Sequence, residues 1–543
     1  MAVNWTREQK QVIEGREKSL LVSAAAGSGK TAVLVERIIQ MITEGENPKD
    51  IDRLLVMTFT RAAAAEMRER IQAAIEKKLE SEPENEHLQQ QAVLVQFAQI
   101  TTIDSFCLHI MREHFDRLDI DPAFRVGDEG EMLLMRADVM DGLLEDYYRD
   151  GGKRYEEFVD AYATGKADGG IAEYVTQVYN FAQSNPWPDA WYEKCREELL
   201  LTEQGELEQT EWMQFLLRDI ALQAQEWKIQ LREAWEICQE TGGPMPYLPM
   251  IEEDLRHAEA VCGAAGSFET ISEALEQFTF SRLAAIRGKN GEVAPEKKAL
   301  VSDCRSRVKK AVEKLKGEYL FASPEQMLTD MEAGKERILE LLELAQEFGR
   351  RFRAKKKEKN VVDFHDLEHF ALEILTEPEA ECSEAEETSR AEGTDQMQGK
   401  NAWTVRVPGT VADELAVQYD EILVDEYQDS NLVQETLIQC ISGERFDRPN
   451  VFMVGDVKQS IYKFRLARPE LFLEKYSTYT SEESAHQKIE LHQNFRSRDH
   501  ILESINAIFY RIMTEKLGNI SYTEDAALHP GAAFEERDGL DEL

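Results

Sequence analysis

One stretch constrains the fold more than any other: Leu20-Leu21-Val22-Ser23-Ala24-Ala25-Ala26-Gly27-Ser28-Gly29-Lys30-Thr31. A short apolar run, a turn holding two glycines and the start of a helix follow one another directly. Gly27 and Gly29 let successive backbone N–H groups face one concavity, and a helix opening at Lys30 aims its positive dipole end at the same point. Such a concavity suits the phosphates of a nucleoside triphosphate, cradled by Ala24, Ala25, Ala26, Gly27, Ser28, Gly29, Lys30 and Thr31. Lys30 is placed to reach the β- and γ-phosphates, and the Thr31 hydroxyl to ligate Mg2+. Downstream, Val33, Leu34, Ile38, Ile39 and Ile42 recur with a helical period.

Further short apolar runs at Leu54–Phe59, Glu421–Asp425, Val451–Val454 and Lys488–Leu491 each end in polar residues. A parallel sheet with functional loops at its carboxyl edge reads this way. The expected fold class is therefore α/β, a parallel sheet flanked by helices. Residues 126–354, with few Pro or Gly and helical spacing at Trp227, Ile229, Leu231, Trp235 and Ile237, predict a large, mostly helical insertion. Its tryptophans, Trp187, Trp191, Trp212, Trp227 and Trp235, are assigned to the core. Residues 376–400, rich in Glu, Ser, Thr and Gly, predict an acidic disordered loop.

The 543 residues carry a net charge of −41. That balance excludes indiscriminate adhesion to nucleic acid or anionic membranes, so any DNA groove must be locally basic. Seven cysteines without a CxxC pair read as reduced thiols in a cytoplasmic protein. No run approaches the roughly 20 apolar residues that span a bilayer, so no membrane partner is expected.

The second strong signal is Ile422-Leu423-Val424-Asp425-Glu426-Tyr427-Gln428-Asp429, an apolar strand ending in paired acids. Asp425 would hold Mg2+ through its water shell, and Glu426 would orient or deprotonate an attacking water. Paired acids at a strand end also serve as a solvated turn; the phosphate loop elsewhere in the chain is what calls for an acidic partner.

Asp425-Glu426-Tyr427-Gln428-Asp429 followed by Gly455-Asp456-Val457-Lys458-Gln459-Ser460-Ile461-Tyr462-Lys463-Phe464-Arg465 resembles motifs II and III of the superfamily 1A (UvrD/RecB-like) DNA helicases. Other segments fit in the same order. Gln9 stands where the family reads adenine; Thr58-Phe59-Thr60-Arg61-Ala62-Ala63 resembles motif Ia, and Thr102-Ile103-Asp104-Ser105-Phe106-Cys107 motif Ib. Asp363-Phe364-His365-Asp366-Leu367 resembles the DFxDL element, and Gln493-Asn494-Phe495-Arg496-Ser497 motif IV. Within the superfamily the likeness is to the N-terminal part of AddA-type helicase–nucleases, seen in Trp5-Thr6-Arg7-Glu8-Gln9 and in Arg465-Leu466-Ala467-Arg468-Pro469-Glu470-Leu471-Phe472.

The resemblance implies a P-loop NTPase (RecA-like) sheet, with residues 1–125 plus 355–484 as the first motor domain, 126–354 as a 1B-like insertion and 485–543 as the start of a second motor domain. It implies ATP and Mg2+ as cofactors. The implied partners are single-stranded and duplex-end DNA and an AddB-type protein. Its activity would be ATP-driven 3′–5′ helicase action in double-strand break repair and recombination. Catalytic roles would fall to Glu426, Gln459 and Arg496, with Gln459 sensing the γ-phosphate and Arg496 touching it, a guanidinium role. Phe495 would stack on adenine. Thr58, Phe59, Thr60, Thr102, Ser105, Phe106, Tyr462 and Phe464 would line the single-strand groove, Phe464 stacking on a base. For the two phenylalanines, Phe464 and Phe495, plain core packing is the competing reading. The basic run Arg350–Lys359 would touch duplex phosphates or form a solvated helix face.

Past Arg496 nothing resembles motif V or VI, nor the AddA nuclease domain, so the chain is expected to be the N-terminal portion of a longer protein. Two other readings stay open: a non-motor ATP- and DNA-binding or partner-docking module, and a small-molecule P-loop kinase. The kinase reading leaves the segments at Thr58, Asp363 and Gln459 without a role.

Overall fold

Six strands form one sheet: β1 (Ser19–Ala24), β2 (Leu54–Thr58), β3 (Ile100–Thr102), β4 (Glu421–Val424), β5 (Val451–Gly455) and β6 (His486–Leu491). Their spatial order is β6-β1-β5-β4-β2-β3, and every neighbouring pair is parallel. The computed structural model describes residues 4–45, 47–163, 169–200, 204–264, 266–286, 293–378, 406–514, 522–532 and 534.

Both faces of the sheet are buried, as parallel sheets require, and the side chains alternate between them with the strand period of two. Leu20, Val22, Leu54, Val56, Leu423, Phe452 and Val454 pack with Val33, Leu34, Ile38, Met67 and Ile71. These last five come from α2 (Lys30–Thr43) and α3 (Arg61–Ser81), which follow α1 (Arg7–Glu14) in the chain. On the other face Leu21, Leu55, Met57, Ile422, Val424, Val451 and Met453 pack with Phe106, Ile110, Leu367, Leu372, Leu437 and Ile438. Those residues belong to α4 (Ile103–Glu113), α5 (Phe364–Leu375) and α6 (Leu432–Ile441). The four apolar runs beyond β1 all become sheet strands; β3, only three residues long, carried too little pattern to be singled out.

Beneath the sheet Arg37 Nε lies 2.6 Å from Glu421 Oε1, and its guanidinium sits 4.9 Å from the Phe452 ring centre. Removing either partner would leave a buried charge uncompensated, at a cost of roughly 3–5 kcal/mol.

The chain divides into two compact units. The first comprises Met1–Asp150, Ala163–Trp191 and Leu344–Leu543, and the second Gly151–Tyr162 and Tyr192–Glu343. The second unit is helical and lies within the 126–354 segment. In it, Met213, Leu217, Ile220, Ala224, Trp227 and Leu231 from the helix Glu211–Gln239 pack on Leu255, Ala258 and Val261 and on Val308, Val312 and Leu315. Asp254 and Arg305 pair through two bonds of 2.5 and 3.1 Å inside this unit.

One core expectation fails there, and one residue of the quoted helical period turns outward with it. Trp212 is 43% and Ile229 56% exposed. At 100° per residue they lie about 100° and 160° from the stripe centred on Met213 and Leu231, so they face outward. Trp187 is partly buried against the core of the first unit. At the foot of the expected acidic loop, Thr376–Pro378 pairs antiparallel with Arg406–Pro408 instead of remaining irregular; residues 379–405 lie outside the described residues.

Candidate functional site

The carboxyl ends of β1, β5 and β4 converge on the glycine turn. Gly27 has φ +71° and Gly29 φ +81°, the left-handed region that favours glycine. A Cβ on Gly27 would fall 2.7 Å from Asn494 Nδ2 and 3.0 Å from Arg496 Cβ, so the turn has no room for one. Asn494 donates from Nδ2 to Ala26 O at 2.6 Å, and Phe495 N–H donates to Gly27 O at 2.9 Å. Asn494 Oδ1 in turn accepts the Arg496 and Ser497 N–H groups, both at 2.8 Å. The segment after β6 is therefore laced onto the turn after β1.

Lys30, first residue of α2, points its ammonium at Glu426, with Nζ 3.0 Å from Oε2 and 3.2 Å from Oε1. Glu426 follows β4 with φ +51°, a conformation a non-glycine residue rarely holds. Gln428 donates to Glu426 Oε2 at 2.8 Å and to Asp429 Oδ2 at 3.2 Å, while its Oε1 accepts Asp456 N–H at 3.0 Å. One amide thus ties the ends of β4 and β5 together. Asp456 Oδ2 accepts from Gln459 Nε2 at 2.8 Å, and Asp456 Oδ1 lies 2.9 Å from Lys458 Nζ.

Burial, and then the neighbouring Glu426 carboxylate, push Asp425 up to about 6, while Lys30 pulls it down. Asp429 is pushed up to about 6 by the same two causes. Crowded carboxylates beside a phosphate cradle are electrostatically short of positive charge.

The residues fit a Mg–nucleotide. Ser28 Oγ is buried and has no hydrogen-bond partner among the described residues, which leaves its hydroxyl available inside the turn. Thr31 and Asp425 offer two hard oxygen ligands. No cluster of three or more His, Cys, Asp or Glu able to hold a metal occurs among the described residues. That sparse donor set suits Mg2+, which keeps waters and phosphate oxygens as its other ligands.

Beside the turn lies a cavity of about 240 Å3 lined by Gln9, Ser28, His492, Phe495 and His529, among others. Gln9 sits in a capping box: Thr6 N–H donates to Gln9 Oε1 at 2.9 Å, and Gln9 Nε2 donates to Ser28 O at 3.1 Å. The amide is thereby oriented with one N–H and one lone pair uncommitted.

Further along the same sheet edge, where the end of β2 meets the 461–466 loop that follows β5, the chemistry changes. Phe59 and Tyr462 pack tilted by 36° with ring centres 4.7 Å apart, and Phe464 follows at 5.9 Å from Tyr462, tilted by 42°. Arg465 lies over both Tyr462 and Phe464, at 5.4 and 5.7 Å. Phe464 is 76% exposed. Leu466 closes this loop with φ +62°, strained for a branched side chain.

Several expected groove residues face elsewhere. Phe106 is 1% exposed and packs on Tyr419 at 6.1 Å in the core, so its ring cannot meet a base. Thr58 is buried and spends its hydroxyl on Thr60 O at 3.0 Å. Thr102, also buried, caps α4 and meets Ser105 Oγ at 2.9 Å. Thr60 caps α3 through Ala63 N–H. These hydroxyls shape the loops. In the basic run, Lys356 is buried against Asp363 and Asp366 at 3.1 and 2.6 Å, Lys355 pairs with Glu358, and Arg350 and Arg351 with Glu347. Lys356 is the buried cation of that run; the other pairs lie at or near the surface.

Sequence reading passed over four residues that the geometry brings forward: Gln428, Asn494, His492 and His529. Gln428 and Asn494 lie inside quoted motifs, and their polarity at strand ends was the available signal. His529 gave none.

Residues 5–480 match the family described as UvrD/REP helicase N-terminal domain. The chain is 45% identical over 98% of its length to a protein of Lachnoclostridium phytofermentans named as the A component of an ATP-dependent helicase/nuclease, covering 37% of that protein. It is 41% identical to the protein of the same name in Clostridium beijerinckii and 39% to that in Bacillus velezensis, each over 98% of the chain and 41% of the relative. The chain thus spans about two-fifths of the length of these curated relatives.

Proposed function

Because the chain belongs to the UvrD/REP helicase family, we propose that it forms the ATP-binding and DNA-gripping part of an AddA-type helicase–nuclease motor. Residues 1–125 with 355–484 would be its first, RecA-like motor domain, 126–354 a 1B-like insertion and 485–543 the start of the second. The observation that carries this reading is one sheet edge holding both a lysine–glutamate pair inside a phosphate-shaped turn and a row of exposed rings.

The pairing of Lys30 with Glu426 suggests how nucleotide binding readies the site. An incoming triphosphate competes for the Lys30 ammonium and releases the Glu426 carboxylate, which is then positioned by the Gln428 amide to orient water or take its proton. Mg2+, held by the Thr31 hydroxyl and the Asp425 carboxylate, would neutralise phosphate charge. Gln9 and Phe495 face the base cavity. Arg496, held by its backbone to Asn494, is set to contact the γ-phosphate, and Gln459 reports that end of the site to the loop carrying Tyr462 and Phe464. Phe59, Tyr462 and Phe464 present π-faces, a sequence-tolerant way to hold single-stranded DNA. The same reading takes duplex-end DNA and an AddB-type protein as partners, with a role in double-strand break repair, 3′–5′ polarity and cytoplasmic location. Among the described residues no helix is long and apolar enough to cross a membrane.

The test is ATP hydrolysis by this chain with and without single-stranded DNA, beside Lys30→Ala. Turnover that depends on Lys30 and rises with DNA is expected. Turnover indifferent to Lys30 would overturn the assignment. Lys30-dependent binding without turnover would instead favour the ATP- and DNA-binding module.

A further inference from the structure

The base cavity is closed by a segment far downstream. Strand β7 (Gln493–Asn494) pairs in parallel with β8 (His529–Pro530), and α7 (Asp499–Ile512) lies between them in sequence. His529 N–H donates to His492 O at 3.2 Å, and Gly531 N–H to Asn494 O at 2.8 Å. Leu528, beside this strap, is buried with Leu502 of α7 and with Ala25 of the phosphate turn. Asn506 of α7 ties the strap down by donating to Leu528 O at 2.9 Å.

Gly531 lies against the ring of Phe495. A Cβ on Gly531 would fall 2.8, 2.9 and 3.0 Å from three ring carbons. A ring is rigid, so any side chain there would displace it rather than bend it. The His529 ring lines the same cavity. Its Nε2 lies 3.2 Å from Glu524 O. A carbonyl only accepts, so in the neutral imidazole this contact places the proton on Nε2 and leaves Nδ1 as an acceptor.

We propose that the His529–Gly531 strap positions and selects the nucleotide base, Gly531 fixing the Phe495 ring for stacking and His529 offering an acceptor to a purine amine. This deepens the ATP reading and rests on it. An acceptor at that wall favours adenine, whose exocyclic nitrogen donates, over guanine, whose corresponding oxygen repels a lone pair. Gly531 is a positioning residue, since it acts through Phe495.

The experiment is equilibrium binding of Mg–ATP, Mg–GTP and inorganic tripolyphosphate to the whole chain. It compares the unaltered chain with Lys30→Ala, Gly531→Ala, His529→Ala, Phe495→Ala and the Phe495→Ala/Gly531→Ala pair. Gly531→Ala should weaken ATP about tenfold, the size of one lost aromatic contact of ~1.4 kcal/mol, and leave tripolyphosphate unmoved. On the Phe495→Ala background it should do nothing more, because the two act as a unit. His529→Ala should narrow the preference for ATP over GTP. A parallel fall of ATP and tripolyphosphate in Gly531→Ala, or an unchanged ATP-to-GTP ratio in His529→Ala, would overturn the strap. Should Gly531→Ala fail to fold, the His529→Ala ratio decides alone. Absence of Lys30-dependent binding in the unaltered chain would overturn the phosphate-site reading and the strap together; Lys30-dependent binding with indifferent strap variants overturns the strap only.

Discussion

The two halves of the sheet's carboxyl edge solve opposite problems. At β1, β5 and β4 charged groups are packed close, half-buried and paired with one another: Lys30 with Glu426, Lys458 with Asp456, and Gln428 spanning both strand ends. At β2 and the 461–466 loop the groups are aromatic rings, Phe59 and Phe464 exposed and Tyr462 half-buried, flanked by the exposed cations Lys463 and Arg465. The first half gains from fixed geometry, because each carboxylate and ammonium is strong only at a set distance. The second gains from area, because a π-face holds any base. Strand β4 lies between β5 and β2, so the Asp425–Glu426 turn adjoins both halves.

That contrast can be broken hardest at its margins. Phe106, expected from sequence in the groove but buried against Tyr419, should behave as core: Phe106→Ala should cost about 3–5 kcal/mol of stability in a denaturant titration. A DNA-affinity loss without a stability loss would return Phe106 to the aromatic half. Glu426→Gln is next. It keeps shape but removes the base, so turnover in the DNA-stimulated assay should fall ~10²–10⁴-fold with ATP affinity retained. A comparable drop in ATP binding would mean that Glu426 serves the cradle and not the water.

How much of this could be read beforehand follows the same divide. The glycine turn, the acids after β4 and the five longer strands were legible because local chemistry dictates them: glycine where φ is positive, acids at a strand end, apolar runs buried on both faces. What stayed hidden depends on partners far away in sequence. Thr58, Thr102 and Ser105 stand in groove-like motifs yet spend their hydroxyls on caps and turns, and the motif carries no sign of which use is made. Lys356 looks like its neighbours in the 350–359 run until Asp363 and Asp366 fold back onto it. His529 enters the base cavity through a two-residue strand pairing that no periodicity reports.

Phe464→Ala probes the same divide from the exposed side. Its ring touches no core, so stability should not change, whereas affinity for single-stranded DNA should fall by ~1–3 kcal/mol and ATP affinity should hold. Equal losses for oligonucleotides of every sequence are expected from stacking; a loss confined to one sequence would point to edge recognition and away from a π-face.

The smallest effect tests the charged half alone. Asp425 keeps its proton in the fold up to about 6, where the unfolded chain gives it up near 3.8. Between those values the folded state binds more protons than the unfolded one, so this carboxyl's contribution to stability is present below about pH 4 and is lost as pH rises through about 6. Thermal unfolding of the nucleotide-free chain should therefore show a decline between about pH 4.5 and 6.5 that Asp425→Asn flattens by about 2 kcal/mol. The residual slope in that variant belongs to Asp429, raised by burial and by the same Glu426. Mg–ATP should flatten both slopes, since a Mg2+ ion held beside Asp425 favours the ionised carboxylates although the complex as a whole is anionic. Phe464→Ala, carrying no titrating neighbour of this kind, should leave the whole profile unmoved, and a profile that shifted with it would mean that the two halves of the edge share their electrostatics.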